Sequence, residues 1–310
     1  MGWEPVPLPN GKRFRRNYPL GPLTTLGLGG SADWFVEVSG ETELVQALSI
    51  ARSGGLPVTV LGGGSNVLVS DGGVRGVVTR VRGGSAYEVD SHAVRAFAGM
   101  TVNGLVRWTL QRGLAGLEAW AGTPGTVGGA IHGNAHFGGR EVSELVTSLR
   151  VVTDQGEVQT VAESAVELGP GGAALTRWKR TLLSADFRVQ PGDPAVLRRR
   201  ARASLAFRKR TQPLGVPSAG CAFRNPDPGA VSLPPDVPAA AGALLDRAGM
   251  KGVSVGGARV SEVHANFLTA GPGATAADVH RLLGICQAAV SAAFGVRLVP
   301  ELVLLGEFPS

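Results

Sequence analysis

The sequence has few cysteines and no long apolar run. Its 310 residues include two cysteines, Cys221 and Cys286, which are too few and too far apart for a disulfide scaffold or a zinc site. The longest apolar stretch, residues 296–305, is interrupted by charged residues and proline, and it falls well short of the roughly 18 residues that a membrane helix needs. The first residues contain no apolar signal-peptide core. We therefore expect a cytoplasmic protein with no metal and no membrane partner.

Aromatic residues are also scarce, at 5% of the chain, although the net charge is +6. The densest basic runs are residues 198–202 and 208–210. No aromatic residues alternate with these runs in the way that stacking on nucleic-acid bases requires. The runs are typical of a solvated helix face, and the excess charge could equally steer an anionic small molecule towards the protein. We expect no nucleic-acid partner.

The apolar pattern that is present predicts a chain of mixed helices and strands. Helices are predicted at residues 41–54, 102–111, 194–208, 239–248 and 276–294. Strands are predicted at residues 34–38, 57–61, 67–69, 77–81, 94–98, 145–153, 158–161, 253–255, 266–268 and 298–305. Residues 122–139 are predicted to be a glycine-dense loop.

Two glycine clusters stand out between these elements. Residues 62–66 follow a predicted strand but lead back into β structure, which is unlike a dinucleotide-binding turn. Residues 123–130 form the second cluster, and the sequence contains no Walker A motif. Each cluster alone could be a tight turn. Together they suggest a phosphate-bearing cofactor held at two points by backbone N–H groups.

The segment 217–226 is the most informative one for chemistry. A run of small residues presents the thiol of Cys221, followed by Arg224 and Asn225. This thiol is either a buried small hydrophobe or a functional group. Cys286 lies in an apolar helix, which suggests simple packing. His132 and His136 are four residues apart but have no third ligand nearby in the sequence, so a metal site is not expected.

Taken in order, these segments resemble the UDP-N-acetylenolpyruvoylglucosamine reductase family. The similar segments are residues 24–25, 60–68, 116–118, 123–130, 212–226, 241–267 and 300–301. The resemblance implies an α+β fold, with a two-subdomain FAD-binding domain of the vanillyl-alcohol-oxidase type and a third, substrate-binding α+β domain. The implied limits are residues 1–85 and 86–206 for the two subdomains and 207–296 for the third domain, with residues 297–310 returning to the first subdomain.

The resemblance also implies a reaction. NADPH would reduce FAD, and the enolpyruvyl ether of a UDP-sugar would receive the hydride and then a proton, to give UDP-N-acetylmuramate for peptidoglycan synthesis. The chain is similar to the shorter, second subclass, and we expect a monomer. Residues 62–66 contain neither His nor Cys, which favours non-covalent FAD. The alternatives are another FAD-dependent sugar or lactone oxidoreductase of the same superfamily and a basic, non-enzymatic binding protein.

Site residues follow from the same resemblance. Cys221 matches the proton donor and Glu301 the acidic residue that polarises or protonates the developing enolate. Arg177, or alternatively Arg180, matches the arginine that stabilises charge on the substrate carboxylate. The implied substrate-binding residues are Arg224, Asn225 and His264. The implied FAD-binding residues are Leu61, Gly62, Gly63, Gly64, Ser65, Asn66, Thr123, Pro124, Gly125, Gly128, Gly129 and Ala130.

Overall fold

The computed structural model describes residues 3–162 and 180–309. The chain divides into two compact units. The first unit comprises Met1–Asn17, Asp33–Gly63 and Gly76–Arg208, and the second comprises Tyr18–Ala32, Gly64–Arg75 and Lys209–Ser310. The domain limits expected from the sequence stay a prediction. In the part of the chain that the structure describes, no helix is both long and apolar enough to cross a membrane.

The helices are α1 (Glu41–Ser53), α2 (Val102–Gln111), α3 (Val127–His132), α4 (Pro194–Thr211), α5 (Ala241–Arg247) and α6 (Ala276–Phe294). The strands of the first 100 residues are β1 (Arg15–Pro19), β2 (Ser31–Val38), β3 (Val58–Leu61), β4 (Val67–Val69), β5 (Val74–Val81), β6 (Ala86–Asp90) and β7 (Ala93–Phe97). The later strands are β8 (Leu114–Ala115), β9 (His136–Phe137), β10 (Arg140–Glu141), β11 (Val146–Val152), β12 (Val158–Ala162), β13 (Thr181–Arg188), β14 (Gln190–Pro191), β15 (Ser254–Val255), β16 (Ala258–Val260), β17 (Leu268–Ala270) and β18 (Val303–Leu305).

The first unit is built around an antiparallel sheet of order β12-β11-β13-β7-β6. A second sheet has the order β1-β2-β5-β3, in which β3 and β5 are parallel. Helix α1 buries Leu44 and Leu48, one turn apart, in the core of this unit. Trp120 is also fully buried in this core.

An ion pair crosses the five-stranded sheet of the first unit. The guanidinium of Arg95 donates to both carboxylate oxygens of Asp186, at 2.6 and 2.7 Å, and the Ser148 hydroxyl donates to the same carboxylate at 2.7 Å. Burial alone would raise the pKa of Asp186, but the hydrogen bonds from Arg95 and Ser148 outweigh it and hold the pKa below its ordinary value. The hydrogen bonds from Arg95 to Asp186 also raise the pKa of Arg95.

The second unit contains the antiparallel sheet β15-β16-β17 and helices α5 and α6. Helix α6 begins with a capping box formed by Thr275 and Asp278. Both carboxylate oxygens of Asp71 also accept hydrogen bonds, each at 2.9 Å, from the backbone N–H groups of Ala276 and Ala277, the first two residues of α6. Strand β18 pairs in parallel with β4.

The structure corrects three predictions. Residues 122–139, predicted as loop, contain α3, because Thr126 caps a helix whose Val127 and Ile131 are buried. They also contain β9, which pairs with β10 just after this range. The predicted strand 266–268 begins at Leu268 instead, since Asn266 lies in a turn. Of the predicted strand 298–305, Val303–Leu305 forms β18. Helices α2 and α6 have the predicted bounds.

The Arg95–Asp186 pair predicts a pH-dependent effect of Asp186→Asn. The variant loses a charge-assisted pair, so at pH 7 its free energy of unfolding should fall by about 2–3 kcal/mol. Because folding lowers the pKa of Asp186, the contribution of the carboxylate is present above the unfolded pKa of about 3.9 and is lost as the pH falls through the folded pKa. Urea unfolding at pH 7 and pH 3 measures the difference in the free energy of unfolding between the wild type and Asp186→Asn. Asp154→Asn, in an exposed turn, is the control. If the wild type and Asp186→Asn differed as much at pH 3 as at pH 7, the Asp186 carboxylate would not be the source of the stabilisation.

Candidate functional site

Within the first unit, the two glycine clusters lie against each other. A Cβ atom on Gly63 would lie 2.6 Å from the Cα atom of Gly125. A Cβ atom on Gly62 would lie 2.5 Å from Oγ1 of Thr126. Contacts this short leave room for backbone alone, and so both positions require glycine. Gly62 and Gly63 thus lie against the second cluster with half-buried backbone and no side chain between them, a glycine surface at which backbone N–H groups can bind phosphate.

Helix α3 supplies the second half of this surface. Thr126 is its N-cap and accepts a hydrogen bond from the backbone N–H of Gly129 at 3.3 Å. Gly125, just before it, has a φ of +95°, which only glycine adopts readily. A Cβ atom on Gly128 would lie 3.1 Å from the Cβ atom of Ala98. Gly128 therefore serves close packing inside a helix, whereas the sequence analysis took the glycines here as a sign of a loop.

Two side chains that the sequence analysis did not assign hold the second cluster in place. Asn103 accepts from the backbone N–H of Gly122 at 2.7 Å and donates to the carbonyl of Thr123 at 3.1 Å. Arg208 donates to the hydroxyl of Thr123 at 2.8 Å, and its guanidinium lies 3.7 Å from the centre of the Phe137 ring. Arg208 is 6% exposed. The prediction of a solvated basic face is therefore wrong at Arg208.

In the second unit, the end of the first glycine cluster binds the segment around Cys221. The carbonyl of Ser65 accepts from the backbone N–H of Gly220 at 3.1 Å. The Asn66 side chain donates to the carbonyl of Glu301 at 3.1 Å. Gly64 has a φ of +66°, and a Cβ atom there would collide with the carbonyl of Leu23. These backbone contacts bring residues 64–66, 220 and 301 together.

Cys221 and Glu301 lie in neighbouring backbone segments of the second unit. The N–H of Glu301 donates to the carbonyl of Ala222 at 2.8 Å, and the N–H of Arg224 donates to the carbonyl of Val299 at 3.0 Å. Both Cys221 and Glu301 are half-buried. The two candidate acid residues, far apart in sequence, are thus brought together by main-chain pairing.

His264 lies in the same unit, in the turn that precedes β17. Burial lowers the pKa of His264 below its ordinary value, and the charge of Lys251 lowers it further. Its Nδ1 atom accepts from the backbone N–H of Asn266 at 3.2 Å. The ring is therefore neutral at pH 7 and carries its proton on Nε2.

The other predicted site residues are Asn225, Arg224 and either Arg177 or Arg180. Asn225 is exposed, and its Oδ1 atom accepts from the backbone N–H of Ala241 at the start of α5, at 2.9 Å. Arg224 is half-buried. Arg177 lies outside the described residues, and Arg180 is half-buried just before β13. Among residues 3–162 and 180–309, no group of three His, Cys, Asp or Glu side chains could hold a metal ion.

Comparison with known proteins first defines a class. A family model described as an FAD binding domain matches residues 32–162. A second model, described as the C-terminal domain of UDP-N-acetylenolpyruvoylglucosamine reductase, matches residues 212–305. The glycine surface of the first unit lies within the first match. The protein is thus a flavoprotein, and FAD is its cofactor, as the sequence predicted.

Relatives over the whole chain then define the family. The UDP-N-acetylenolpyruvoylglucosamine reductase of Synechococcus sp. (strain JA-3-3Ab) is 37% identical over 96% of this chain and 92% of its own length. That of Heliobacterium modesticaldum is 37% identical over 95% of this chain and 91% of its own length. The crystal structure of the Thermus caldophilus enzyme superimposes with a TM-score of 0.76 at 30% identity, over 95% of this chain and 99% of that one. The chain belongs to the UDP-N-acetylenolpyruvoylglucosamine reductase family.

These matches confirm the predicted α+β fold and oxidoreductase class. The residues present also fit FAD. Gly62, Gly63 and Gly125 leave backbone without side chains where the two clusters meet. The first unit would hold the phosphates of the cofactor at these residues through backbone N–H groups.

This surface predicts that Gly63→Ala loses FAD. The added methyl group would meet the Gly125 backbone, so the two clusters must separate and the affinity for FAD should fall about 10- to 100-fold. Titration of the apoprotein with FAD, followed by flavin fluorescence, measures the affinity. Gly40→Ala is the matched control, because Gly40 has an extended backbone and open space around its Cβ position. Equal affinities in the two variants would rule out the glycine surface as the cofactor site.

Proposed function

We propose that the protein reduces the enolpyruvyl ether of a UDP-N-acetylglucosamine to UDP-N-acetylmuramate, a precursor of peptidoglycan, with NADPH as the reductant. When bound, FAD would supply hydride, originating from NADPH, for one carbon of the enolpyruvyl double bond. The other carbon then needs a proton, which the protein must supply. Membership of the family, with both of its domain models matched in order, supports this reaction.

In this proposal Cys221 supplies the proton. A thiol is mostly protonated at neutral pH and releases its proton more readily than an alcohol, so it suits transfer to an enol carbon. Cys221 is half-buried in the second unit, and solvent can restore its proton after each turnover. The thiol stays reduced throughout, because it moves a proton and no electrons.

Glu301 assists by stabilising the enolate that hydride addition creates. The single observation that carries this pairing is the 2.8 Å hydrogen bond from the N–H of Glu301 to the carbonyl of Ala222, next to Cys221. Because this bond joins the two main chains, it brings the backbone of Glu301 next to the backbone of the Cys221 segment.

The substrate is an anion, and the second unit offers donors for it. Arg224 carries a permanent charge suited to the diphosphate. His264 is neutral at pH 7 and offers its Nε2 proton as a donor. The Asn225 oxygen binds the start of α5, and its amide nitrogen can donate to the substrate. A monomeric state, non-covalent FAD and a cytoplasmic location stay predictions.

The proton-donor role predicts different results for two variants of Cys221. Cys221→Ser should keep part of the turnover, since a hydroxyl can still donate a proton, whereas Cys221→Ala should lose about 100-fold or more. Stopped-flow measurement separates flavin bleaching by NADPH, which should be unchanged in both, from the return of absorbance on adding the enolpyruvyl UDP-sugar. Normal turnover in Cys221→Ala would remove Cys221 from the mechanism.

Alkylation gives an independent check, with an internal control. Iodoacetamide should inactivate the wild-type protein and leave Cys221→Ser active. Cys286 should stay unmodified because it is 0% exposed and burial raises its pKa to about 11. Mass spectrometry of the labelled peptides identifies the thiol that reacted. Inactivation that follows the modification of Cys286 would contradict the assignment.

The choice between Arg177 and Arg180 can be made by substitution. A guanidinium that stabilises the developing charge on the substrate carboxylate contributes about 100- to 1000-fold to the rate. We expect Arg177→Ala to slow the substrate-driven return of flavin absorbance by this factor and Arg180→Ala to leave it nearly unchanged. The opposite pattern would assign the role to Arg180, and no effect in either variant would place the arginine elsewhere.

A further inference from the structure

The side-chain amide of Asn266 binds both backbone polar groups of Phe223, its N–H and its C=O. Its Oδ1 atom accepts from the N–H of Phe223 at 2.9 Å, and its Nδ2 atom donates to the carbonyl of Phe223 at 2.7 Å. Asn266 is 3% exposed, so water competes little for either bond. The planar amide binds this residue as a neighbouring β-strand would, with one donor and one acceptor facing it.

The main chain of Asn266 holds the preceding residue as well. Its carbonyl accepts from the N–H of Ala222 at 2.8 Å. On the other side of the same segment, the carbonyl of Ala222 accepts from the N–H of Glu301 at 2.8 Å. The residues that follow Cys221 are therefore fixed between Asn266 and Glu301.

The segment before Cys221 is fixed separately. The N–H of Gly220 donates to the carbonyl of Ser65 at 3.1 Å. A Cβ atom on Gly220 would lie 3.3 Å from Oδ1 of Asn66, so this residue also packs closely. The thiol thus sits between two anchored ends, and Asn266 provides the anchor on its C-terminal side.

A turn explains why a side chain is needed there. The N–H of Phe267 donates to the carbonyl of His264 at 3.0 Å, and strand β17 begins only at Leu268. The backbone at residues 265–267 therefore cannot continue the ladder beside the Cys221 segment. The amide of Asn266 replaces the missing strand bonds, and a buried amide in a turn without such partners would be costly.

We propose that Asn266 is a positioning residue for the proton transfer, which it supports by fixing the backbone that carries Cys221. This inference rests on the proposed function, in which Cys221 is the proton donor. Proton transfer depends on placement to within a fraction of an ångström. Loss of the Asn266 amide releases the backbone of Phe223 from one side, and the thiol two residues earlier moves with it.

The test uses the FAD-loaded protein with Asn266→Ala and Asn266→Ser. Serine is small enough to be accommodated, and its single hydroxyl cannot reproduce the two-bond pattern of the amide. Gln287→Ala is the matched control, since the Gln287 amide also donates to a backbone carbonyl of the same unit, that of Leu298 at 2.9 Å, but this bond is not to residues 217–224. Three rates are compared: flavin bleaching by NADPH, the return of absorbance with the enolpyruvyl UDP-sugar, and alkylation of Cys221 by iodoacetamide. Retained flavin absorbance and thermal unfolding confirm that each variant is folded.

We expect both Asn266 variants to bleach at the wild-type rate and to reoxidise about 10- to 100-fold more slowly. Alkylation of Cys221 should become faster, because a released segment exposes the thiol more often, and Gln287→Ala should change none of the three rates. A folded Asn266 variant that reoxidises normally overturns the proposal. So does an equal loss in both flavin rates with unchanged alkylation, which indicates a general effect on the fold.

The same data separate this proposal from the proposed function. If the wild-type flavin is bleached by NADPH but does not return with the enolpyruvyl UDP-sugar, the assigned substrate is wrong. Alkylation then decides the role of Asn266 alone. Faster labelling of Cys221 in Asn266→Ala and not in Gln287→Ala supports the anchoring role, and unchanged labelling in both overturns it.

Discussion

The hydrogen bond from the N–H of Glu301 to the carbonyl of Ala222 is the contact on which the candidate chemistry depends. It joins two segments that are far apart in sequence, and it does so through main-chain atoms whose geometry varies little. The backbone segments that carry Cys221 and Glu301 are therefore brought together by main-chain pairing. Asn66 reinforces this arrangement from the glycine cluster, because its amide binds the carbonyl of the same Glu301.

In the first unit, the main constraint is the close approach of the two glycine clusters. Gly63 and Gly125 must approach without side chains, and glycine loses more conformational freedom on folding than any other residue. The structure offsets this cost with specific bonds from outside the cluster. Asn103 and Arg208 bind its backbone and its threonine, and the Thr126 cap orders the start of α3. A surface of bare peptide groups is thereby kept rigid, as recognition of phosphate requires.

The longer helices could be predicted from the sequence, but the side-chain hydrogen bonds that hold the two candidate sites in place could not. Helix α6 was predictable because it has a capping threonine, a 3.6-residue apolar period and a terminal glycine at residue 295. Helix α3 was missed because its two glycines are typical of loops, although Thr126 three residues before Gly129 is a capping signal. The motifs identified the family and hence FAD. Arg208 and Asn266 could not be assigned, since their partners lie 85 and 43 residues away and no local pattern records such contacts.

The composition of the second unit has a consequence for how the chain folds during synthesis. Leu26 and Leu68 belong to the same buried cluster as Leu282 and Leu302, and β4 pairs with β18 at the far end of the chain. On the ribosome, these early residues emerge long before their partners exist. Their apolar side chains cannot be buried in this core until nearly the whole polypeptide has been made. During that interval they stay in contact with solvent and can promote aggregation. A nascent chain that stops short of residue 303 cannot complete this core, so truncated products should depend on chaperones far more than the finished protein does.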